Sequence, residues 1–164
     1  MTTTPDLRER SYRWDDPRAL AAQMEGRSGL EFLQGLVSGE LPPPPIMATL
    51  GAGVESVEEG RVVFTMTPAE YHYNPIGSVH GGVYATLLDS ACGCAVQSTL
   101  PAGVGYTSLD LSVRFLRPMT SDTGPVRCEG VIVSAGRRVV LARASITDSR
   151  DRLLGEATSS CLLL

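Results

Sequence analysis

The sequence HGGVYATLLDSACGCAVQSTL, residues 80–100, has the pattern of one long and mostly buried helix. The glycine pair after His80 is typical of a loop that leads into a helix start, so we expect a helix from about Gly81 to Leu100. Apolar side chains then recur at helical spacing and predict one buried face, which consists of Tyr84, Leu87, Leu88, Ala91 and Ala95.

Asp89 is the one formally charged residue between Glu70 and Asp110. It falls on a different face of the helix from the apolar stripe, and its helical neighbours are small or uncharged. A solvated face normally carries several charged side chains, and burying an unpaired carboxylate is costly. Functional sites collect such groups, so we interpret Asp89 as a site residue. The alternative is an ordinary surface aspartate.

The start of the same helix supplies hydrogen-bond donors. Unpaired N–H groups and the positive end of the helix dipole stabilise negative charge, and Gly81 and Gly82 let a ligand approach them. Donors for an oxyanion together with an isolated acid suit acyl transfer. Gly81 and Asp89 are roughly 11–12 Å apart along one helix, so we expect a dimer in which each site is built from both chains.

Strand patterns surround this helix. A turn at Glu58-Glu59-Gly60 joins the first two predicted strands. The full set of predicted strands is Ile46–Val57, Gly60–Thr67, Tyr106–Leu116, Val126–Ala135, Val139–Asp148 and Leu153–Leu163. The composition and this order support an α+β domain with an antiparallel sheet and one central helix.

The pattern of the first 45 residues predicts an N-terminal helical extension. Residues 1–17 have the pattern of a loose tail, Arg18–Gln23 of a turn of helix, and Gly29–Val37 of a short amphipathic helix ending at Ser38-Gly39. Pro42–Pro45 predict a stiff, extended connector. We therefore divide the chain into an extension, residues 1–45, and one main domain, residues 46–164.

The motif around the helix start resembles that of a known family. Residues 74–82, NPIGSVHGG, followed by Asp89 on the helix, resemble the signature of hotdog-fold acyl-CoA thioesterases of the phenylacetate-pathway, PaaI-like type. Residues 107–118, TSLDLSVRFLRP, and residues 136–140, GRRVV, resemble later strands of that family. The resemblance covers about residues 46–164 and implies a hotdog fold, in which an antiparallel sheet wraps around one long helix.

The resemblance also implies roles for individual residues. Asp89 would be the general base or the nucleophile, and the Gly81 amide would hold the thioester oxygen. Asn74 would add a side-chain contact, although Asn-Pro also starts turns readily. His80 would position the loop and contact substrate, or be structural. Ser108 would orient the attacking water, and Thr107 is its rival because a one-residue slip exchanges the two faces of a strand.

Three arginines are candidates for binding the coenzyme A phosphates, because guanidinium groups match phosphate geometry. The resemblance places such contacts at Arg117, Arg137 and Arg138, and Gly82 is a further candidate for substrate binding. A solvated turn can also be basic without any ligand. For the acyl group we expect an apolar or aromatic pocket, with Tyr71, Tyr73, Tyr84 and Phe115 as candidates; these four residues could equally belong to the core.

Composition excludes several other classes of protein. The net charge is −4 with no basic run, which argues against nucleic acid as a partner. The segment Met1 to Arg13 is polar and predicts no secretory signal, and Val83–Leu100 is no convincing membrane span. We therefore expect a cytoplasmic protein. Four cysteines and two histidines do not have the spacing of a metal site, so we expect reduced thiols and no cofactor beyond the coenzyme A of the substrate.

Three functions remain open at this point. The first is an acyl-CoA thioesterase that works as a homodimer, or as a tetramer made from two such dimers. The second is a hotdog dehydratase or hydratase, which combines a histidine with an acid in a different sequence context. The third is a non-catalytic acyl-CoA-binding module, which would not require Asp89. The acyl group, and coenzyme A against acyl-carrier protein as the carrier, are not readable from the sequence.

Overall fold

The computed structural model describes residues 7–164, so the first six residues of the predicted tail lie outside it. Its helices are α1 (Pro17–Ala22), α2 (Gly29–Ser38), α3 (Pro45–Leu50) and α4 (Gly81–Gln97). Its strands are β1 (Ala52–Glu58), β2 (Arg61–Met66), β3 (Tyr106–Ser108), β4 (Ser112–Phe115), β5 (Val126–Ala135), β6 (Val139–Asp148) and β7 (Leu153–Leu163). Short 3-10 turns occupy Glu70–His72 and Ser121–Thr123.

The seven strands form one antiparallel sheet in the order β1-β2-β5-β6-β7-β3, and β4 also pairs with β7. The long helix α4 packs against the middle strands of this sheet. This is the expected hotdog arrangement, and β5, β6 and β7 have the predicted bounds. Clear alternation and a turn at each end made these strands readable from the sequence.

The buried face of α4 is the predicted one. Tyr84, Leu87, Leu88, Ala91 and Ala95 are all at most 3% exposed, and each large apolar side chain there contributes roughly 1.5–3 kcal/mol by its burial. The helix and the sheet touch backbone to backbone at one point, because a Cβ on Gly130 of β5 would collide with the Ala91 carbonyl group. Only glycine at residue 130 permits this depth of packing.

The prediction of a strand over Ile46–Val57 is wrong in its first half, where the chain forms α3. Pro45 is the first residue of that helix, a position at which proline's fixed φ favours the helix and its missing N–H costs nothing. Gly51 ends the helix with φ +66°. The guanidinium of Arg10 donates to the carbonyls of Ala48 and Thr49 at 2.8 and 2.5 Å, which satisfies free acceptors at the helix end.

The predicted strand Tyr106–Leu116 is two strands, β3 and β4, which pair with different parts of β7. The interruption falls at Asp110. Its backbone carbonyl accepts from Ser159 Oγ at 2.7 Å, and its carboxylate accepts from the Ser160 N–H at 3.1 Å. These bonds replace the regular ladder, which explains why an alternation pattern alone did not reveal the break.

The N-terminal extension packs on the domain through α2. Ser28 and Glu31 form a capping box at its start, and Gly39 ends it in the left-handed conformation, as the sequence predicts. At Gly29 the helix lies directly on the Gln97 carbonyl of α4, where a Cβ would collide. Residues 7–16 contain no helix or strand, yet Arg10 of this segment stacks on the Tyr71 ring at 3.9 Å.

A buried histidine joins the extension to the start of α4. His72 is 4% exposed, its Nδ1 accepts from the Ala69 N–H at 3.0 Å, and its Nε2 therefore donates to the Leu50 carbonyl at 2.8 Å. The His80 N–H in turn donates to the His72 carbonyl at 2.8 Å. Burial lowers the pKa of His72 below its ordinary value, and the nearby Arg10 adds to this effect.

This histidine should make stability depend on pH. Below about pH 6.5 the unfolded chain binds a proton on residue 72 that the folded chain does not, so the free energy of unfolding should fall by up to about 1.4 kcal/mol per pH unit until the lowered pKa is reached. Urea unfolding at pH 7.5 and 5.5 measures the loss. His72→Gln should flatten this part of the profile, and an unchanged slope in His72→Gln contradicts the assignment.

Candidate active site

The structure brings Asp89 and Ser108 together. Asp89 is half-buried on α4, and the Ser108 hydroxyl on β3 donates to its Oδ1 at 3.1 Å. Thr107 is the preceding residue, and strand alternation directs its side chain to the other face. Of these two residues, Ser108 is the one whose side chain contacts the acid. Within residues 7–164 the Asp89 carboxylate makes no ion pair.

Asp89 lies on the wall of a cavity of about 190 Å³. Tyr106, two residues before Ser108 on the same face of β3, also lines it, as does Cys94 on α4. Ser90 and Ser108 add two hydroxyl groups. The remaining wall is apolar and comprises Leu36, Pro44, Ile46, Met47, Val54 and Phe64. The cavity therefore combines one acid with a small hydrophobic chamber.

The other titratable groups of this cavity are held protonated. Burial raises the pKa of the Cys94 thiol to about 12, and the charge of Asp89 adds to the effect. Burial also raises the pKa of the Tyr106 phenol well above its ordinary range. The phenol packs against the bare backbone of Gly93, where a Cβ would come within 2.6 Å of the hydroxyl oxygen. The thiol and the phenol are thus uncharged neighbours of the carboxylate at neutral pH.

At the start of α4, the backbone N–H of Gly81 has no acceptor within residues 7–164. His80 is the N-cap residue, and its Nδ1 accepts from the Gly82 N–H at 2.8 Å. This bond uses the Gly82 donor and gives His80 a structural part. Gly81 lies beside the ring of Phe115, which would be 3.0 Å from a Cβ on Gly81.

Asn74 organises the loop before the helix. Its side-chain oxygen accepts from the Ile76 N–H at 3.0 Å and from the Ser78 N–H at 3.4 Å, and its backbone N–H donates to the Ser78 carbonyl at 2.8 Å. This is the turn geometry that Asn-Pro favours. In this structure the side chain of Asn74 supports the loop that leads to Gly81.

The three candidate arginines do not form one patch within a chain. The Arg117 N–H donates to the Leu154 carbonyl at one end of β7, whereas the Arg138 carbonyl accepts from the Leu163 N–H at the other end. These ends are about 30 Å apart at the usual rise per residue. Arg117 donates to the Leu153 carbonyl at 2.5 Å, and Arg137 and Arg138 are exposed in the β5–β6 turn without a side-chain partner in the described chain.

The predicted site residues fall into two groups. Gly81, His80 and Asn74 lie at the start of α4, near Phe115 and Arg117. Asp89 and Ser108 lie about 12 Å further along the helix, toward the end of the sheet that carries the Arg137-Arg138 turn. One chain thus presents a donor group and an acid group that are separated by about two turns of helix.

Sequence reasoning missed most of the cavity wall. The four predicted aromatic residues lie elsewhere: Tyr84 is core, Tyr73 bonds to Ser121, and Tyr71 and Phe115 are more than half exposed. Tyr106 could have been found, because it shares a strand face with Ser108 at a spacing of two. The wall residues from α2 and α3 carried no such signal.

No described helix has the length and apolar character needed to cross a membrane. No cluster of three or more His, Cys, Asp or Glu side chains in residues 7–164 could hold a metal ion.

Comparison with known proteins agrees with the fold. The sequence profile of the thioesterase superfamily matches residues 76–154. A protein of Halobacterium salinarum that carries an esterase name is 33% identical over 118 residues, which cover 69% of this chain and 76% of that protein. The structure of a phenylacetic acid degradation-related protein from Ralstonia eutropha has a TM-score of 0.71 at 27% identity and covers 79% of this chain and 98% of its own.

A second similar structure contains a ligand. A Streptococcus mutans protein bound to acetyl-CoA has a TM-score of 0.62 at 25% identity, and the match covers 68% of this chain and 86% of that one.

Proposed function

Since the chain belongs to the thioesterase superfamily, we propose that it hydrolyses an acyl-CoA thioester to the free acid and coenzyme A. The observation that carries this proposal is the Asp89 carboxylate, bonded to Ser108 and facing an apolar cavity. An acid in that position is suited to attack, or to activate water against, a carbonyl carbon whose acyl chain occupies the cavity. The similarity to an acetyl-CoA-bound structure supports coenzyme A as the carrier.

The reaction uses the two groups of residues in different ways. In the general-base route, Asp89 takes a proton from water as the water oxygen attacks the thioester carbon, and Ser108 orients that water. The Gly81 N–H stabilises the negative oxygen of the tetrahedral intermediate. Its collapse breaks the carbon–sulfur bond, and the proton passes from Asp89 to the coenzyme A sulfur. In the nucleophilic route, a carboxylate oxygen of Asp89 attacks the thioester carbon and expels the coenzyme A thiolate. Water then hydrolyses the resulting anhydride to the free acid and the Asp89 carboxylate, and the proton that water releases goes to the thiolate.

The Gly81 donor and the Asp89 acid can contact the same thioester only if they come from two different chains. The free Gly81 donor and Asp89 are about 12 Å apart along α4, which is too far for one thioester. Two antiparallel copies of α4 in a homodimer bring Gly81 of one protomer to Asp89 of its partner and generate two equivalent sites. A tetramer made from two such dimers retains the same sites.

A hydrolysis screen tests the proposed function. Release of free coenzyme A from phenylacetyl-, benzoyl-, short-chain and medium-chain acyl-CoA is followed with a thiol-reactive dye. We expect catalytic release for at least one of these esters. Tight binding without release of thiol for the whole series would instead identify a non-catalytic acyl-CoA-binding module.

The exposed arginine pair in the β5–β6 turn is proposed to bind the nucleotide phosphates of coenzyme A. Replacement of both Arg137 and Arg138 by Ala should raise KM for acyl-CoA about tenfold or more, since each charge-assisted bond contributes about 1.5–3 kcal/mol when fully formed. Hydrolysis of the corresponding acyl-pantetheine, which lacks the nucleotide, should barely change. Steady-state kinetics with both substrates measures this difference.

The matched control for that pair is Arg13→Ala combined with Arg18→Ala, because these arginines are also exposed. The control should leave both substrates unaffected. Equal losses on acyl-CoA and acyl-pantetheine in the Arg137 and Arg138 variant would mean that the arginines support the fold instead of the nucleotide.

A further inference from the structure

The far wall of the Asp89 cavity comes from the N-terminal part of the chain. Leu36 belongs to α2, Pro44 to the connector, and Ile46 and Met47 to α3. All four precede residue 76, where the match to the thioesterase superfamily begins. The acid and this wall of the chamber therefore come from different segments of the chain. Helix α4 supplies Asp89, and the segment 29–50 supplies the wall.

We infer that the segment 29–50 is the end wall of the acyl pocket and sets the upper size of the acyl group that the protein accepts. This inference rests on the proposed function. It assigns to α2, the connector and α3 a specificity role that the hydrolytic chemistry itself does not require.

The volume of the cavity defines the size class. An apolar cavity of about 150 Å³ in a protein core is large enough to bind benzene. The chamber beside Asp89 measures about 190 Å³, so it accommodates one six-membered ring or an acyl chain of about six carbons. A ten-carbon chain would have to displace the wall.

The wall is held in place at the end of α3. Arg10 donates to the carbonyls of Ala48 and Thr49, and His72 donates to the carbonyl of Leu50 at 2.8 Å. The last three carbonyls of this short helix are thus bonded to side chains from outside it. Met47 is 3% exposed and belongs to the main hydrophobic core. These contacts fix the backbone of α3 beside the cavity.

Two wall residues can be shortened independently. Met47 is buried, and its replacement by Ala removes wall atoms and enlarges the chamber. Ile46 is 44% exposed, so its replacement by Ala removes wall atoms with less effect on the core. The matched control is Met66→Ala, because Met66 is 2% exposed on β2 and does not line this cavity.

Binding of inert thioethers tests the wall without any need for hydrolysis. Calorimetry with S-butyl-CoA and S-decyl-CoA gives the Kd ratio of the long to the short ligand. In the wild-type protein this ratio should favour the butyl compound. Met47→Ala and Ile46→Ala should each shift it toward the decyl compound by about tenfold or more, since one methylene in an apolar pocket changes discrimination 10–200-fold. Met66→Ala should leave the ratio unchanged.

The possible outcomes separate the two proposals. An unchanged ratio in both Met47→Ala and Ile46→Ala, or an equal shift in the Met66→Ala control, overturns the role of the wall even if the protein is an active thioesterase. A failure of Met47→Ala to fold leaves Ile46→Ala to decide. A shifted ratio in a protein that releases no thiol from any acyl-CoA establishes the wall and overturns hydrolysis.

Discussion

Asp89→Asn should lower kcat for acyl-CoA hydrolysis at least about 100-fold, because a positioned base typically contributes 10²–10⁴ to the rate. Asparagine keeps the size of the side chain and can still bond to the Ser108 hydroxyl, so the cavity should persist. It can neither accept a proton from water nor attack the thioester. Affinity for an inert thioether and the free energy of unfolding should stay near the wild-type values.

The same substitution at an exposed aspartate provides the control. Asp122 lies on the 3-10 turn Ser121–Thr123 and is exposed, so Asp122→Asn should retain full turnover. Purified proteins are compared at saturating substrate, and urea unfolding confirms that both variants are folded. Near-normal turnover of Asp89→Asn would remove Asp89 from the chemistry and leave the cavity as a binding site only.

Mixed dimers should recover activity that neither parent possesses. In a mixture of Asp89→Asn chains with Gly81→Val chains, each mixed dimer contains one site with an intact donor and an intact acid. Random exchange places half of the protein in mixed dimers with one active site out of two, so about a quarter of the wild-type activity should return. Gly81→Val suits the donor side, because even a Cβ would come within 3.0 Å of the Phe115 ring.

The complementation experiment has an internal control. Two differently tagged Asp89→Asn chains, exchanged under the same conditions, should show no recovery, and capture by both tags in sequence verifies that mixed dimers form. Verified mixed dimers without activity would refute the shared site. An active monomer in sedimentation would refute it as well.

The sequence predicted the central helix and the late strands because their patterns are local. The periodicity of Leu87, Leu88 and Ala91 needs no knowledge of partners, and β5 to β7 alternate between turns. The first half of the predicted strand Ile46–Val57 is a helix because Pro45 and Gly51 act as its two ends. The run Pro42–Pro45 predicts an extended connector. Its last residue, Pro45, is instead the first residue of α3, a position at which proline is favoured.

The candidate site residues are easier to predict from the sequence than the residues that line the cavity. Asp89 and Gly81 stand out by isolation and by loop pattern, whereas Met47 reaches the cavity only through tertiary packing, 42 residues before Asp89 in the sequence. The same limit applies to the arginines. The resemblance groups Arg117 with Arg138, and the strand pairing of β7 places them at opposite ends of the sheet within one chain.

The contact between Gly130 and Ala91 has a consequence for the position of Asp89. At this contact the backbones of α4 and β5 touch, and no side chain lies between them. No change of rotamer can therefore shift the helix relative to the strand there. Asp89 is two residues from this contact. Its depth is therefore set by the rigid framework, which is the kind of preorganisation that allows a reactive group to be placed within about 0.5 Å. Any larger residue at 130 would push α4, and Asp89 with it, away from the sheet.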